Sequence, residues 1–299
     1  MGDILTAGSL FTPELTNEMF DLVRGKSALA RLSEQMPLSF RGGTVWTFSL
    51  DNEVALVAEN GAKSNGGGTV GQVVIQPVKI EYGLRVSDEF RYASEEIRLD
   101  YLRTFMDGFA KKAARGLDIM AMHGVNPRTG STASVLSTNN FDDVVTNDVT
   151  STGDPNADVI SAIALIEAAE HDVTGMAIAP AFRTALAAMT KATGSNESLF
   201  PELAWGASPS TINGLPVDVN STVSFNSGDD LAIIGNFRDY FRWGYSRDVA
   251  VEVIEYGNPD NDGDLGDLKG HNQVYIRGEA YIGWGILVPA AFAKIGSFQ

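Results

Sequence analysis

Residues 44–91 constrain the fold of this chain more than any other stretch. Residues 44–50, Thr-Val-Trp-Thr-Phe-Ser-Leu, alternate as a half-buried strand does. Residues 70–91 are rich in Val, Ile and Tyr and alternate at Val78, Ile80, Tyr82 and Leu84, which reads as one long return strand. Between them lie a second short strand at 53–59 and the run Asn60-Gly-Ala-Lys-Ser-Asn-Gly-Gly-Gly-Thr69, too rich in glycine to hold one conformation by itself. Two long strands joined at such a tip form a ribbon with little core of its own, and an isolated ribbon is marginal in water. It has to lie on another surface, and a neighbouring copy of the chain is the expected one.

The rest of the chain carries ordinary cores. The capping residue Ser94, the acidic pair Glu95 and Glu96, and an apolar stripe through Leu102, Phe105, Met106, Phe109, Ala113, Leu117 and Met120 predict a helix over 94–122, about 40 Å long at 1.5 Å per residue. His123, Gly124 and Pro127 end it. Thr12, Pro13 and the apolar spacing of Leu15, Met19, Phe20 and Val23 predict a shorter helix, preceded by an arm over 1–11 that needs a partner to be ordered. After a Ser/Thr/Asn-rich connector at 129–156, a helix is expected over 155–170 with Val159, Ile160, Ile163, Ile166 and Ala169 on one side. A buried strand at 174–179, a helix opened by Pro180, strands at 215–219 and 231–234, alternation over 248–256 and a last long strand over 274–288 follow. With 299 residues the chain can hold one domain or two.

Composition excludes several function classes. A net charge of -16 opposes binding to nucleic acid and to anionic membranes. Cysteine is absent, which removes disulfides, thiolate nucleophiles and cysteine-ligated metals. The N-terminus lacks the basic flank and apolar run of a signal peptide, and Met1-Gly2-x-x-x-Thr6 matches a loose myristoylation pattern with no polybasic segment to reinforce it. The most apolar stretch, 280–293, is broken by Gly283, Gly285 and Pro289 and is too short to span a bilayer. The sequence reads as soluble and intracellular.

Catalytic and cofactor motifs are not found. Ala62-Lys63-Ser64 has the end of a P-loop, but Ala62 stands where its second glycine belongs. Gly206-Ala-Ser208-Pro-Ser210 fails as a nucleophile elbow at its fifth position. His123, His171 and His271 are far apart in sequence and read as surface or helix-end residues, so no metal ligand set is assigned. Asn258-Pro-Asp260-Asn-Asp262-Gly263 mimics the start of a calcium loop, yet Lys269 stands where the bidentate Glu belongs, and it reads as a solvated acidic loop. No acid/base pair or oxyanion hole emerges, which favours a structural role over an enzyme.

A series of short motifs runs along nearly the whole chain. Ser27-Ala-Leu-Ala-Arg31-Leu32 follows the arm, Ala58-Glu59-Asn60-Gly61 lies in the ribbon, and Val86-Ser87-Asp88-Glu89 precedes the long helix. Gly124-Val-Asn-Pro127 leaves that helix, and Ile212-Asn-Gly-Leu-Pro-Val217 and Ile234-Gly-Asn-Phe237 with Tyr240 come later. Val274-Tyr-Ile-Arg277, Gly283 and Pro289-Ala-Ala-Phe292 close the series. Their order resembles that of the major capsid proteins of tailed bacteriophages, which have the Hong Kong 97-like fold.

The resemblance implies an α+β, L-shaped subunit. It would have an N-terminal arm at 1–25 and an extended β-hairpin loop at 39–85. A peripheral domain with a long spine helix would take 26–38, 86–153 and 240–288, and an axial domain 154–239 and 289–299. Such subunits form hexamers and pentamers in an icosahedral phage head around double-stranded DNA, assembled in the bacterial host cytoplasm. The expected partners are copies of the chain, a portal and separate scaffolding or decoration proteins; because the arm begins almost at Met1, scaffolding is expected from another protein or not at all. DNA would be enclosed without tight binding, with no membrane partner and no cofactor. Lys63, Gly66, Gly67 and Gly68 would form the loop tip used in assembly. Some relatives crosslink a loop lysine to a neighbour's asparagine with a glutamate's help; Lys63, Asn272 and Glu279 are the corresponding residues, but Lys63 reads as a solvated tip residue and no crosslink is expected. An encapsulin-like nanocompartment shell is the nearest rival reading, and a calcium-binding protein or enzyme using the 258–267 loop is a rival from another class.

Overall fold

A computed structural model of the chain describes residues 26–50, 52–192, 194–225 and 229–297. The arm, the helix expected at 12–23 and the myristoylation pattern lie outside the described residues. Helix α1 (Ala28–Leu32) leads to strands β1 (Glu34–Gln35), β2 (Gly43–Leu50), β3 (Gly68–Ile75) and β4 (Val78–Ser87). Helices α2 (Glu95–His123) and α3 (Phe141–Val144), strand β5 (Asp148–Thr150), helix α4 (Pro155–Ala168), strand β6 (Gly175–Ile178) and helix α5 (Pro180–Ala187) follow. Strands β7 (Thr211–Ile212), β8 (Leu215–Val219) and β9 (Asp230–Gly235), helix α6 (Phe237–Tyr240), and strands β10 (Phe241–Ile254), β11 (Gln273–Ile286) and β12 (Phe292–Gly296) complete it.

Helix α2 runs for 29 residues because both of its ends are closed and nothing interrupts its interior. Ser94 Oγ accepts from the Ile97 N–H at the start, and Gly124 sits at φ 62 at the end, donating its N–H to the Met120 carbonyl. All seven stripe residues are buried. They pack on a four-stranded sheet ordered β1-β10-β11-β4, in which β11 pairs antiparallel with both long neighbours. Gly278 on β11 lets the helix sink in: a Cβ there would lie 3.2 Å from the Phe109 ring and 3.3 Å from that of Phe105. Trp243 and Trp284, paired across β10 and β11, are fully buried in the same core.

A six-stranded sheet ordered β5-β12-β9-β6-β8-β7 forms the second layer. Its strands β6 and β12 are buried at every position, as strands covered on both faces are. Helices α4 and α5 cover it with Ala162, Ile166, Phe182 and Leu186. An aromatic cluster joins the two sheets, with Phe141 5.1 Å and Phe237 5.2 Å from Phe292, ring centre to ring centre. Burying each such ring contributes about 1.5–3 kcal/mol.

Four expectations change. The return strand breaks at residues 76–77, where Pro77 lacks the N–H a ladder needs, so that β3 pairs with β2 while β4 pairs with β11. Residues 53–59 form no strand, since no partner edge among the described residues reaches them and Val54 and Leu56 stand in solvent. Residues 88–92 are a 3₁₀ turn capped by Ser87, not part of the strand. Ile160 faces outward, 59% exposed, while Asp158 takes a buried place on α4 by binding Ser151 and Thr152.

Candidate assembly surfaces and a buried polar cluster

The ribbon β2–β3 has one anchored face and one bare face. At its root Ile75 is fully buried, and Leu38 nearly so, in notches left by glycines of β11. A Cβ at Gly283 would lie 2.4 Å from Leu38 Cδ2, and one at Gly285 2.8 Å from Ile75 Cγ1. Strand alternation puts Thr44, Trp46, Phe48 and Leu50 on the other face, opposite Val74, Gln72, Val70 and Gly68. Trp46, Phe48 and Leu50 are 68%, 67% and 73% exposed, and Val70 and Val74 extend the same patch. A contiguous aromatic and aliphatic face of this kind marks a binding surface. Trp205, away from the ribbon, is also exposed and is held in left-handed backbone at φ 56 in the loop at 201–206.

The expected tip residues lie at the end of this ribbon. Lys63, Gly66 and Gly67 fall in the exposed segment without regular structure, and Gly68 begins β3. A side chain at Gly66 would meet nothing within 4 Å, whereas one at Gly68 would press on the Phe48 ring at 3.2 Å. Asn272 is exposed and turns the chain into β11 at φ 51. Glu279, in mid-strand, is held by Lys79 Nζ at 2.7 Å and Arg277 Nε at 3.1 Å. Asn272 and Glu279 thus share one strand region, seven positions apart in sequence.

The acidic loop after β10 is bound by an internal cation. Arg85 donates from Nε and Nη2 to the two carboxylate oxygens of Asp260, and from Nη2 to Asn258 Oδ1 and the Gly266 carbonyl. The Arg85 guanidinium holds the Asp260 carboxyl down at about 2. A guanidinium therefore binds two of the side chains, Asn258 and Asp260, that the calcium reading would have used as ligands.

Two polar clusters sit deeper. Asp118, fully buried in the C-terminal part of α2, accepts hydrogen bonds from Ser27 Oγ, the Ala28 and Leu29 N–H groups, Asn220 Nδ2 and Thr222 Oγ1. It serves the free N–H groups at the start of α1 and ties three chain segments together. At the end of the same helix His123 Nε2 lies 2.9 Å from the Thr222 carbonyl, while Nδ1 lies 2.9 Å from Asp142 Oδ2 and 3.5 Å from Asp230 Oδ2. Lys294 Nζ on β12 is 3.7 Å from the other oxygen of Asp142 and 3.4 Å from Asp148. Burial pushes the Asp230 carboxyl up to about 7, and the neighbouring Asp142 charge adds to the shift. The Asp142 partner and the Asp230 charge hold the His123 imidazolium above its ordinary range, against the effect of burial.

The sequence matches the model of the phage capsid family over residues 7–296. The chain belongs to the phage capsid family. A search of curated proteins gave no match. Among solved structures, this capsid protein is similar to one from Mycobacterium phage Ogopogo, at 30% identity and TM-score 0.75 over 91% of this chain and 92% of that one. It also resembles a structure from Gordonia phage Cozz, at 24% identity and TM-score 0.73 over 90% and 85%. A third, described as the capsid of an empty GTA particle computed with C5 symmetry, shares 14% identity and TM-score 0.64 over 92% and 90%. The capsid protein thus has the mixed helix and sheet Hong Kong 97-like fold, and it is a virion component that assembles with its own copies into an icosahedral shell. Among the described residues no helix is long and apolar enough to cross a membrane.

Sequence reasoning on the capsid protein missed the His123 cluster. His123 does end the helix, as expected, but its side chain is only 7% exposed and lies among carboxylates. Its partners are 19, 107 and 171 positions further along the chain (Asp142, Asp230 and Lys294), so no local spacing marks them. Asp118 left a clearer signal: an acidic residue between Leu117 and Ile119 in the apolar stretch of a long helix.

Proposed function

We propose that this capsid protein forms hexamers and pentamers in the head of a tailed phage, around double-stranded DNA, as a structural subunit with no catalytic step of its own. The bare apolar face of β2–β3 carries this reading. A ribbon anchored by two side chains at its root and apolar along its outer face gains stability only when a neighbouring copy covers it. In this reading residues 39–85 are the extended loop and 1–25 the arm. Residues 26–38, 86–153 and 240–288 make the peripheral domain, and 154–239 with 289–299 the axial one. A portal and separate scaffolding or decoration proteins would complete the head in the bacterial cytoplasm. The charge of -16 suits a container that holds DNA loosely enough to release it.

The double substitution Trp46→Glu and Phe48→Glu tests the reading. Both side chains are exposed in the single chain, so its thermal unfolding should be unchanged while particles disappear from negative-stain images. Normal particles from the double variant would overturn it. Subunits are held without a covalent bond: Lys63 is solvated, and Glu279 is engaged by Lys79 and Arg277. Boiled particles should run as a single monomer band on a denaturing gel, and a ladder would contradict this.

A further inference from the structure

We propose that His123, Asp142 and Asp230 form a binding site for a first-row divalent transition-metal ion, with zinc as the first probe. The case starts from hydrogen-bond accounting. The Thr222 carbonyl only accepts, so His123 Nε2, 2.9 Å away, carries a proton. In the neutral ring the Nδ1 lone pair then faces Asp142 Oδ2 at 2.9 Å and Asp230 Oδ2 at 3.5 Å. With no proton on Nδ1 or on the two carboxylates, three acceptors converge, and the meeting point holds either a shared proton or a metal ion. One ligand atom from each of the three residues can be chosen so that all lie within 4.8 Å of one another. Donors held about 2.1 Å from a shared ion stand about 3.0–3.5 Å apart in octahedral or tetrahedral arrangements, which matches the distances of Nδ1 to its two neighbours.

A second observation points the same way. The Asp230 side chain is only 7% exposed, and its other oxygen, Oδ1, has no hydrogen-bond partner among the described residues. A buried carboxylate left short of partners is costly, and a metal ion removes that cost. The surroundings supply what a metal site needs. The Nε2–H bond to a backbone carbonyl fixes the ring tautomer and aims Nδ1 inward, as outer partners of ligating histidines do. Lys294 sits on the far oxygen of Asp142, and Asp148 shares that ammonium, so the carboxylate stays ionised and oriented. Asp142 is one-third exposed, which leaves a route for the ion and room for water ligands. An imidazole nitrogen with carboxylate oxygens selects zinc, cobalt or similar ions over calcium and magnesium.

Without metal a proton takes the same place, so binding must displace it and weaken as the pH falls. The ligands come from α2, α3 and the start of β9, with Lys294 on β12, so the ion would clamp the end of the long helix to the six-stranded sheet. This inference does not depend on the shell reading.

Titration of the purified chain with zinc by calorimetry at pH 7.5 should give one ion per chain, with binding lost towards pH 5. His123→Gln and Asp230→Asn should each weaken it by at least about tenfold, while Asp260→Asn in the acidic loop should leave it unchanged. Absence of saturable binding, or a site that survives both cluster variants, would overturn the proposal. Should a variant fail to fold, zinc K-edge absorption of the wild-type complex decides. A shell with one imidazole among oxygens supports the site, and an all-oxygen shell overturns it.

Discussion

Replacing Asp118 with alanine isolates the contribution of one buried carboxylate to the joint between α1, α2 and the turn at 220–225. The substitution removes the acceptors of the Ala28 and Leu29 N–H groups, 2.9 and 3.2 Å away, and leaves both donors buried. Each orphaned buried donor costs roughly 1–3 kcal/mol. The desolvation that the carboxylate no longer suffers offsets part of this, so a net loss of about 3 kcal/mol at pH 7 is expected. Urea unfolding of the unassembled chain reports it, since Trp243 and Trp284 are fully buried and change fluorescence on exposure. The pH dependence carries a second signature. Burial pushes the Asp118 carboxyl up to about 6, against the lowering effect of its hydrogen-bond donors, from an unfolded value of 3.8. Between those values the folded state holds a proton that the unfolded chain has released, so wild-type stability falls as the pH rises from about 4 to 6. The alanine variant lacks this contribution, and the gap between the two proteins should narrow over that window. A loss below about 1 kcal/mol at pH 7, or a gap that widens as the pH rises, would refute the reasoning.

Three further outcomes are expected. Gly244→Ala should destabilise the chain by about 2 kcal/mol or more in the same urea assay, because its Cβ would lie 2.1 Å from the Met36 backbone carbonyl, which cannot swing aside. Gly108→Ala, in mid-helix with open space around the new methyl group, should stabilise it by about 0.5–1 kcal/mol. Arg85→Ala should raise amide hydrogen exchange over 258–267. Because the Asp260 carboxyl is depressed to about 2, the wild-type contribution of this pair is present above pH 3.8 and fades as the pH falls towards 2; unchanged exchange at neutral pH would contradict the assigned role of the guanidinium.

Features fixed by near neighbours in the chain were readable from the sequence. Ser94 and Gly124 mark the helix ends, the stripe from Leu102 to Met120 marks its buried face, and the alternation of 44–50 marks β2. Features fixed by distant partners were not. Whether residues 53–59 pair depends on an edge that no local pattern announces. β12 was missed because five buried residues after Pro289 carry no alternation, being covered on both faces. Reading 70–91 as one strand passes over Pro77, and the partner exchange this proline permits, from β2 on one side to β11 on the other, is a tertiary choice. The His123 cluster combines side chains that only the docking of both sheets brings within reach. The bare ribbon face lies between these cases: the pattern identified it, and the structure located its root.

The glycine notches of β11 have a mechanical consequence. The ribbon is a lever whose fulcrum is the pair of sockets at Gly283 and Gly285, gripped by Leu38 and Ile75. Eight residues of β2 carry it outward by about 26 Å at 3.3 Å per residue, so a tilt of about 10° at the root sweeps its far end through about 5 Å. Small rotations at two methyl-sized sockets thus become displacements as wide as the spacing between strands. A ribbon hinged at two such sockets can reach a surface over a range of angles without disturbing the sheet that carries it.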